Sequence, residues 1–145
     1  MNEEVRRLKY LIKDILKQLT NLQYLAISMH YSEVNFKSLD RLIEDLIELD
    51  NIRYLELDFS YSRNNTLRGM PKLFQTLSKF PKLQALVFKF YQVPSFASDK
   101  LLSEFGMMIQ SLPDIIVLKF AFTQSEFITG NGVSEFTQAV KGLNT

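Results

Sequence analysis

The sequence has 145 residues, 46% of them hydrophobic and 23% charged, and its 17 lysines and arginines against 16 acids leave a net charge of +1. This composition is typical of one folded domain, and the near-neutral charge argues against nucleic-acid and membrane-surface partners, which require clustered cations. Cysteine is absent, which excludes disulfides, zinc-thiolate sites and thiol nucleophiles from this sequence and favours an intracellular, cytoplasmic protein.

The first predicted element is a charged helix over about 3–19, in which lysines and arginines lie among acids as on a solvated helix face. Four copies of a strand-and-helix unit follow. The units span about 20–49, 50–80, 81–112 and 113–143, and with the first helix they form a single domain over 1–145.

Each unit opens with a short segment whose apolar residues share one spacing. The first apolar residues of the four segments, Leu22, Ile52, Leu83 and Ile115, are 30, 31 and 32 residues apart. Three further apolar residues follow at +3, +5 and +7 in every copy, ending at Met29, Phe59, Phe90 and Phe122. This alternation predicts a strand with one buried face.

Each unit continues with an apolar stripe at i, i+3, i+7 and i+10, which predicts an amphipathic helix. The copies are Leu39, Leu42, Leu46 and Leu49; Met70, Leu73, Leu77 and Phe80; Leu102, Phe105, Ile109 and Leu112; and Val133, Phe136, Val140 and Leu143. A strand, a helix and a second strand of the same pattern predict parallel βα units.

The last unit has no polar outer helix of the kind that covers the terminal core of a repeat array. We therefore expect the sequence to be part of a longer array, or a partner to cover this end. A last helix that packs adequately by itself is the alternative.

The strand pattern L-x-x-L-x-L resembles a leucine-rich repeat, and its long helical unit is similar to that of the ribonuclease-inhibitor family. The resemblance implies a curved βα solenoid, a leucine-rich-repeat horseshoe segment of the α/β class with four parallel strands and about five helices on the convex side. The asparagine or cysteine ladder of that family is replaced here by His30, Ser60, Tyr91 and Thr123. We expect a looser loop in place of the asparagine-bridged turn.

The residues that alternate with the buried ones are predicted to face the concave surface of the sheet. In strand order they are Tyr24, Ala26 and Ser28; Tyr54, Glu56 and Asp58; Ala85, Val87 and Lys89; and Val117, Lys119 and Ala121. From these we select a candidate protein-binding face made of Tyr24, Ser28, Tyr54, Glu56, Asp58, Lys89 and Lys119.

Two features of this face carry the prediction. Tyr24 and Tyr54 stack in one column, and tyrosine is enriched at binding hot spots; the alternative is that both simply suit β-structure. Asp58 is predicted to lie beside Lys89, which favours cross-strand ion pairing. A metal held by Glu56 and Asp58 is the alternative that the neighbouring lysines disfavour.

Two other motifs are expected to be structural. His30 is the single histidine and falls at a ladder position, so neither a catalytic nor a metal-binding role is expected. Gly130, Asn131 and Gly132 precede a helix, but the rest of a phosphate-loop fingerprint is missing, which predicts a helix-initiating turn.

These patterns predict a non-catalytic protein–protein interaction or scaffold module, without cofactor or metal, whose partners are proteins in a large cytoplasmic or cytoskeletal assembly. The alternative is an adaptor or regulatory domain of an enzyme system, such as a ubiquitin-ligase substrate receptor or a GTPase regulator. A GTPase activator would present a loop arginine, and Arg63 and Arg68 lie on such a loop.

Overall fold

The computed structural model describes residues 15, 18–29, 42–61, 69–92, 98–122 and 128–142. The strands are β1 (Tyr24–Ser28), β2 (Tyr54–Asp58), β3 (Ala85–Phe90) and β4 (Val117–Phe122). The helices are α1 (Met70–Leu77), α2 (Asp99–Gln110) and α3 (Gly130–Lys141), and residues 42–46 are helical too. Of the predicted helix over about 3–19, residues 15 and 18 are helical and most of the rest lies outside the described residues.

The four strands form one parallel sheet in the order β1-β2-β3-β4, which confirms the α/β repeat architecture. Their register follows the sequence repeat, with Leu25 opposite Leu55, Leu55 opposite Leu86, and Leu86 opposite Leu118. Parallel strands lie about 4.8 Å apart, whereas packed helices need about 8–10 Å. A sheet with helices on one face therefore curves, because the helix side needs more room than the strand side. The sheet face opposite the helices is the inner, concave face.

Two of the helices begin at a residue whose side chain caps the first turn. Ser98 caps α2 by accepting a hydrogen bond from the Leu101 amide (3.3 Å), and Thr129 caps α3 by accepting from the Asn131 amide (3.2 Å). A side-chain cap satisfies one of the backbone donors that the first helical turn leaves without a partner. The predicted helix-initiating turn at Gly130 is confirmed, because α3 begins there.

The core lies between the sheet and the helices and is rich in phenylalanine. Phe105 of α2 stacks on Phe120 of β4 (4.4 Å between ring centroids) and meets Phe88 of β3 edge-on (5.4 Å). Phe74 of α1 packs against the same Phe88 ring (6.1 Å). Burying such a side chain stabilises the fold by about 1.5–3 kcal/mol, so this cluster joins both helices to the sheet.

Side chains are less buried on the two edge strands of the sheet than on the two central ones. The apolar positions of β2 and β3 are fully buried, whereas Leu25 and Ile27 of β1 and Leu118 and Phe120 of β4 are half-buried. Val133 was predicted to lie on the buried stripe of α3 and is 46% exposed. That prediction is wrong because, in the described part of the chain, no further unit packs on this side.

The turn after β2 is more ordered than the sequence predicts. Ser60 is fully buried; its hydroxyl accepts a hydrogen bond from the Tyr91 amide (3.2 Å), and its own amide donates to the Asp58 carboxylate (2.9 Å). The Tyr61 amide donates to the Tyr91 carbonyl (2.8 Å). Serine thus forms the link between units that we expected to be lost at this position, while the corresponding His30 and Thr123 lie outside the described residues.

Candidate protein-binding face

The sheet face opposite the helices, called the open face here, carries the candidate residues in three rows that follow the strand register. The rows are Tyr24, Tyr54, Ala85 and Val117; Ala26, Glu56, Val87 and Lys119; and Ser28, Asp58, Lys89 and Ala121. Every candidate predicted from the sequence therefore lies on one surface.

The two tyrosines of the first row form a stack. Their ring centroids are 4.2 Å apart and their planes differ by 7°. This distance is close to the spacing of neighbouring strands, about 4.8 Å, so the register itself sets the stack. Tyr24, on the edge strand, is 58% exposed, and the predicted aromatic column is confirmed.

Tyr54 is held in place by a hydrogen bond to Glu56 of the second row. Its hydroxyl donates to Glu56 Oε2 (2.8 Å), and Lys89 Nζ donates to Glu56 Oε1 (2.5 Å). One carboxylate thus joins an aromatic ring on its own strand to a lysine on the next. Hydrogen bonds to a charged acceptor are stronger than those between neutral groups.

Tyr54, Glu56 and Lys89 shift one another's pKa values. Hydrogen bonds from Lys89 and Tyr54 lower the pKa of Glu56. The bond to Glu56 raises the pKa of Lys89 and, together with burial, the pKa of the Tyr54 hydroxyl. Near neutral pH the arrangement therefore holds one carboxylate, one ammonium and one protonated phenol.

The ion pair differs in its partner from the prediction. Lys89 is opposite Asp58 in the register but pairs with Glu56, one row away. Asp58 instead accepts a hydrogen bond from the Ser60 amide, and its charge adds to the rise in the Lys89 pKa. Cross-strand pairing is confirmed, and its diagonal direction follows from the reach of the lysine side chain along the strand.

The third and fourth strands differ from the first two in what they expose. Lys119 is exposed and forms no ion pair with a described residue. Val87 lies on the predicted face but is only 4% exposed. Its register neighbours Glu56 and Lys119 are both long side chains that flank it on the two adjacent strands.

The sequence prediction missed the residues just before each strand. The carbonyls of Gln23, Arg53 and Gln84 each accept two amides of the next unit, at 2.8–2.9 Å. Ile116 occupies the same position before β4 and is 78% exposed. The available signal was the pair of consecutive positions between the two leucines of L-x-x-L, because strict alternation of buried and exposed residues cannot hold through them.

No described group of three or more histidines, aspartates and glutamates is placed to hold a metal ion. Glu56 is engaged by Lys89 and Tyr54, so the arrangement of this carboxylate is that of an ion pair. Within the described ranges, no helix is both long and apolar enough to cross a membrane. Arg63 and Arg68, which the GTPase-regulator alternative would require, lie outside the described residues.

Comparisons with known proteins give a similar solved structure but no family. No protein-family model matches the chain, and no curated protein matches it. The solved tropomodulin C-terminal domain from Caenorhabditis elegans is 12% identical to it, with a TM-score of 0.49, over 93% of this chain and 92% of that one. A likeness of this degree does not assign the chain to a family.

Proposed function

We propose that this chain is a non-catalytic protein–protein interaction module that binds its partner through the open face. The observation that carries the proposal is the stacked pair of Tyr24 and Tyr54, exposed at one end and fixed by Glu56 at the other. We also propose that the fold is a helical leucine-rich repeat of the ribonuclease-inhibitor type and that the protein belongs to a larger cytoplasmic assembly. The half-buried apolar residues of both edge strands support a place in such an assembly.

The stack suits binding because its conformation is set before a partner arrives. Ordering a side chain on association costs about 0.5–1.5 kcal/mol. Tyr54 is already ordered by its stack and its hydrogen bond, and Tyr24 is stacked on it. A partner that contacts the exposed Tyr24 ring therefore pays little of this ordering cost. Tyrosine offers both an apolar ring and a hydrogen-bonding hydroxyl, which is why it is enriched at the centres of interfaces.

The test is an affinity capture from the native source with the wild-type chain and Tyr24→Ala as baits, followed by measurement of the Kd of each recovered protein. Truncating a hot-spot residue costs about 2 kcal/mol or more, or roughly 30-fold in Kd. Met107→Ala is the matched control, since Met107 is an exposed apolar residue on α2, on the opposite side of the sheet. We expect Met107→Ala to bind like the wild type and Tyr24→Ala to lose the partner.

The outcome that contradicts the proposal is a partner bound equally well by the wild type and Tyr24→Ala. Loss of binding in Met107→Ala alone would place the interface on the helices instead. Because Tyr24 is on an edge strand and largely exposed, its truncation should leave the fold intact, which circular dichroism checks.

A further inference from the structure

We propose that the open face has a preformed slot above Ala85 that takes an aromatic side chain next to a carboxylate, carried by an extended segment of a protein partner. The inference rests on the proposed function and specifies the partner's chemistry. The slot lies in the first row, between Tyr54 of β2 and Val117 of β4.

The slot exists because the aromatic column stops at the second strand. Tyr24 covers the face of the Tyr54 ring that is directed toward β1, so the other face is directed toward β3. The register partner of Tyr54 on β3 is Ala85, whose side chain ends at Cβ. No other described ring stacks on Tyr54, and the next residue in the row, Val117, is 41% exposed.

The dimensions of the slot follow from the sheet. Neighbouring strands are about 4.8 Å apart, and the existing stack has its rings at 4.2 Å. A planar ring above Ala85 would therefore continue the column at the same spacing, with Tyr54 on one side and Val117 on the other. Aromatic rings favour offset stacking at such centroid distances.

The wall of the slot is rigid. The Tyr54 hydroxyl is hydrogen-bonded to Glu56, which is itself bound by Lys89. Rotation of the Tyr54 ring into the slot would break that hydrogen bond and the stack with Tyr24. A ligand ring thus finds its stacking surface in place before it binds, and preorganisation of this kind favours affinity.

The charges around the slot select an acid. Lys119 of β4 is exposed and lies opposite Val87, one register row from Ala85, and the exposed Arg53 directly precedes β2. Neither forms an ion pair with a described residue. The carboxylates nearest the slot in the register already have partners: Glu56 is paired with Lys89, and Asp58 accepts a hydrogen bond from the Ser60 amide. The available charge complementarity therefore favours a partner that places a carboxylate beside its aromatic ring.

The test is an NMR titration with N-acetyl-phenylalanine, which carries one ring and one carboxylate. A ring stacked above Ala85 should move the Ala85 methyl resonance upfield in a saturable way. N-acetyl-phenylalaninamide lacks the charge and N-acetyl-leucine lacks the ring, so each should bind at least fivefold more weakly. Lys119→Gln should weaken binding of N-acetyl-phenylalanine to a similar extent while leaving the amide unchanged.

Ala85→Tyr fills the slot with a ring of the chain itself and should abolish the titration. Ala26→Tyr is the matched control, because Ala26 is an exposed alanine of the same face outside the slot, and it should bind like the wild type. If Ala85→Tyr fails to fold, the comparison of the three ligands on the wild type still decides the question.

Two results would overturn the inference: equal binding of N-acetyl-leucine, or an Ala85 methyl resonance that does not move. The failure of the slot is distinguishable from the failure of the proposed function. A captured protein that is lost with Tyr24→Ala but retained with Ala85→Tyr would keep the open face as the interface and reject the slot. Retention with both variants would reject the interface itself.

Discussion

Gly106→Ala should destabilise the protein although alanine is the better helix former. A β-carbon at Gly106 of α2 would lie 2.9 Å from the Ala139 Cβ of α3, a contact that two helices can relieve only by moving apart. Overpacking of this kind costs about 1–3 kcal/mol, whereas replacing glycine by alanine within a helix favours folding by about 1 kcal/mol. We expect a net loss of about 1 kcal/mol.

The clash itself is isolated by a double-mutant cycle with Ala139→Gly. That substitution alone should cost about 1 kcal/mol in helix propensity. The double variant Gly106→Ala/Ala139→Gly exchanges the two residues across the contact, so propensity is unchanged and the clash is absent; its stability should match the wild type. The two single losses then exceed the double loss by about 2 kcal/mol, which is the coupling energy of residues in direct contact.

Urea unfolding followed by circular dichroism measures all four proteins, with a common m-value as the check that the unfolded states are comparable. Gly130→Ala is the control, because a β-carbon there meets no described atom within 4 Å. It should leave stability unchanged or raise it by up to about 1 kcal/mol. Additive losses, within about 0.5 kcal/mol, would show that α2 and α3 do not touch at Gly106 and would refute the packing described above.

Two further predictions concern the sheet. Leu86→Asp should abolish cooperative unfolding in urea, because it buries an unpaired charge at a fully buried position between β2 and β4. Lys89→Ala removes a partly exposed ion pair and should change the free energy of unfolding by no more than about 1 kcal/mol. Equal effects of the two substitutions would contradict the strand register. Glu56→Gln should lose stability relative to the wild type at pH 7 but much less at pH 3. The lowered pKa of Glu56 contributes stability above the ordinary glutamate pKa of about 4.3, and this contribution is lost as the pH falls through the lowered value. Urea midpoints of both proteins at the two pH values measure this, and a difference independent of pH would contradict the role given to the carboxylate.

The strands and their register were predictable because they depend on spacing alone. Once Leu22, Ile52, Leu83 and Ile115 are aligned, the period of a strand fixes which side chains share a face. The stack of Tyr24 on Tyr54 follows directly, since equal positions on neighbouring strands lie one strand spacing apart.

What could not be predicted depends on side-chain reach and on neighbours. The sequence places Lys89 opposite Asp58, yet the flexible lysine pairs diagonally with Glu56, and the register does not encode this choice. Val87 lies on the predicted face yet is buried, and alternation could not show this because it says nothing about the length of the flanking side chains. Ser60 shows a third limit, since a hydroxyl can replace the ladder asparagine only when the next amide lies within hydrogen-bonding distance.

The agreement between strand order and chain order has a consequence for folding. Among the described residues, each strand pairs only with strands about 31 residues away, so every step of assembly closes a loop of similar, moderate length. The entropy of loop closure grows only slowly with length, and parallel sheets that pair strands distant in sequence fold slowly. This sheet can instead grow outward one unit at a time from β2 and β3, where burial is complete, and the edge strands should be the first to separate and the last to join.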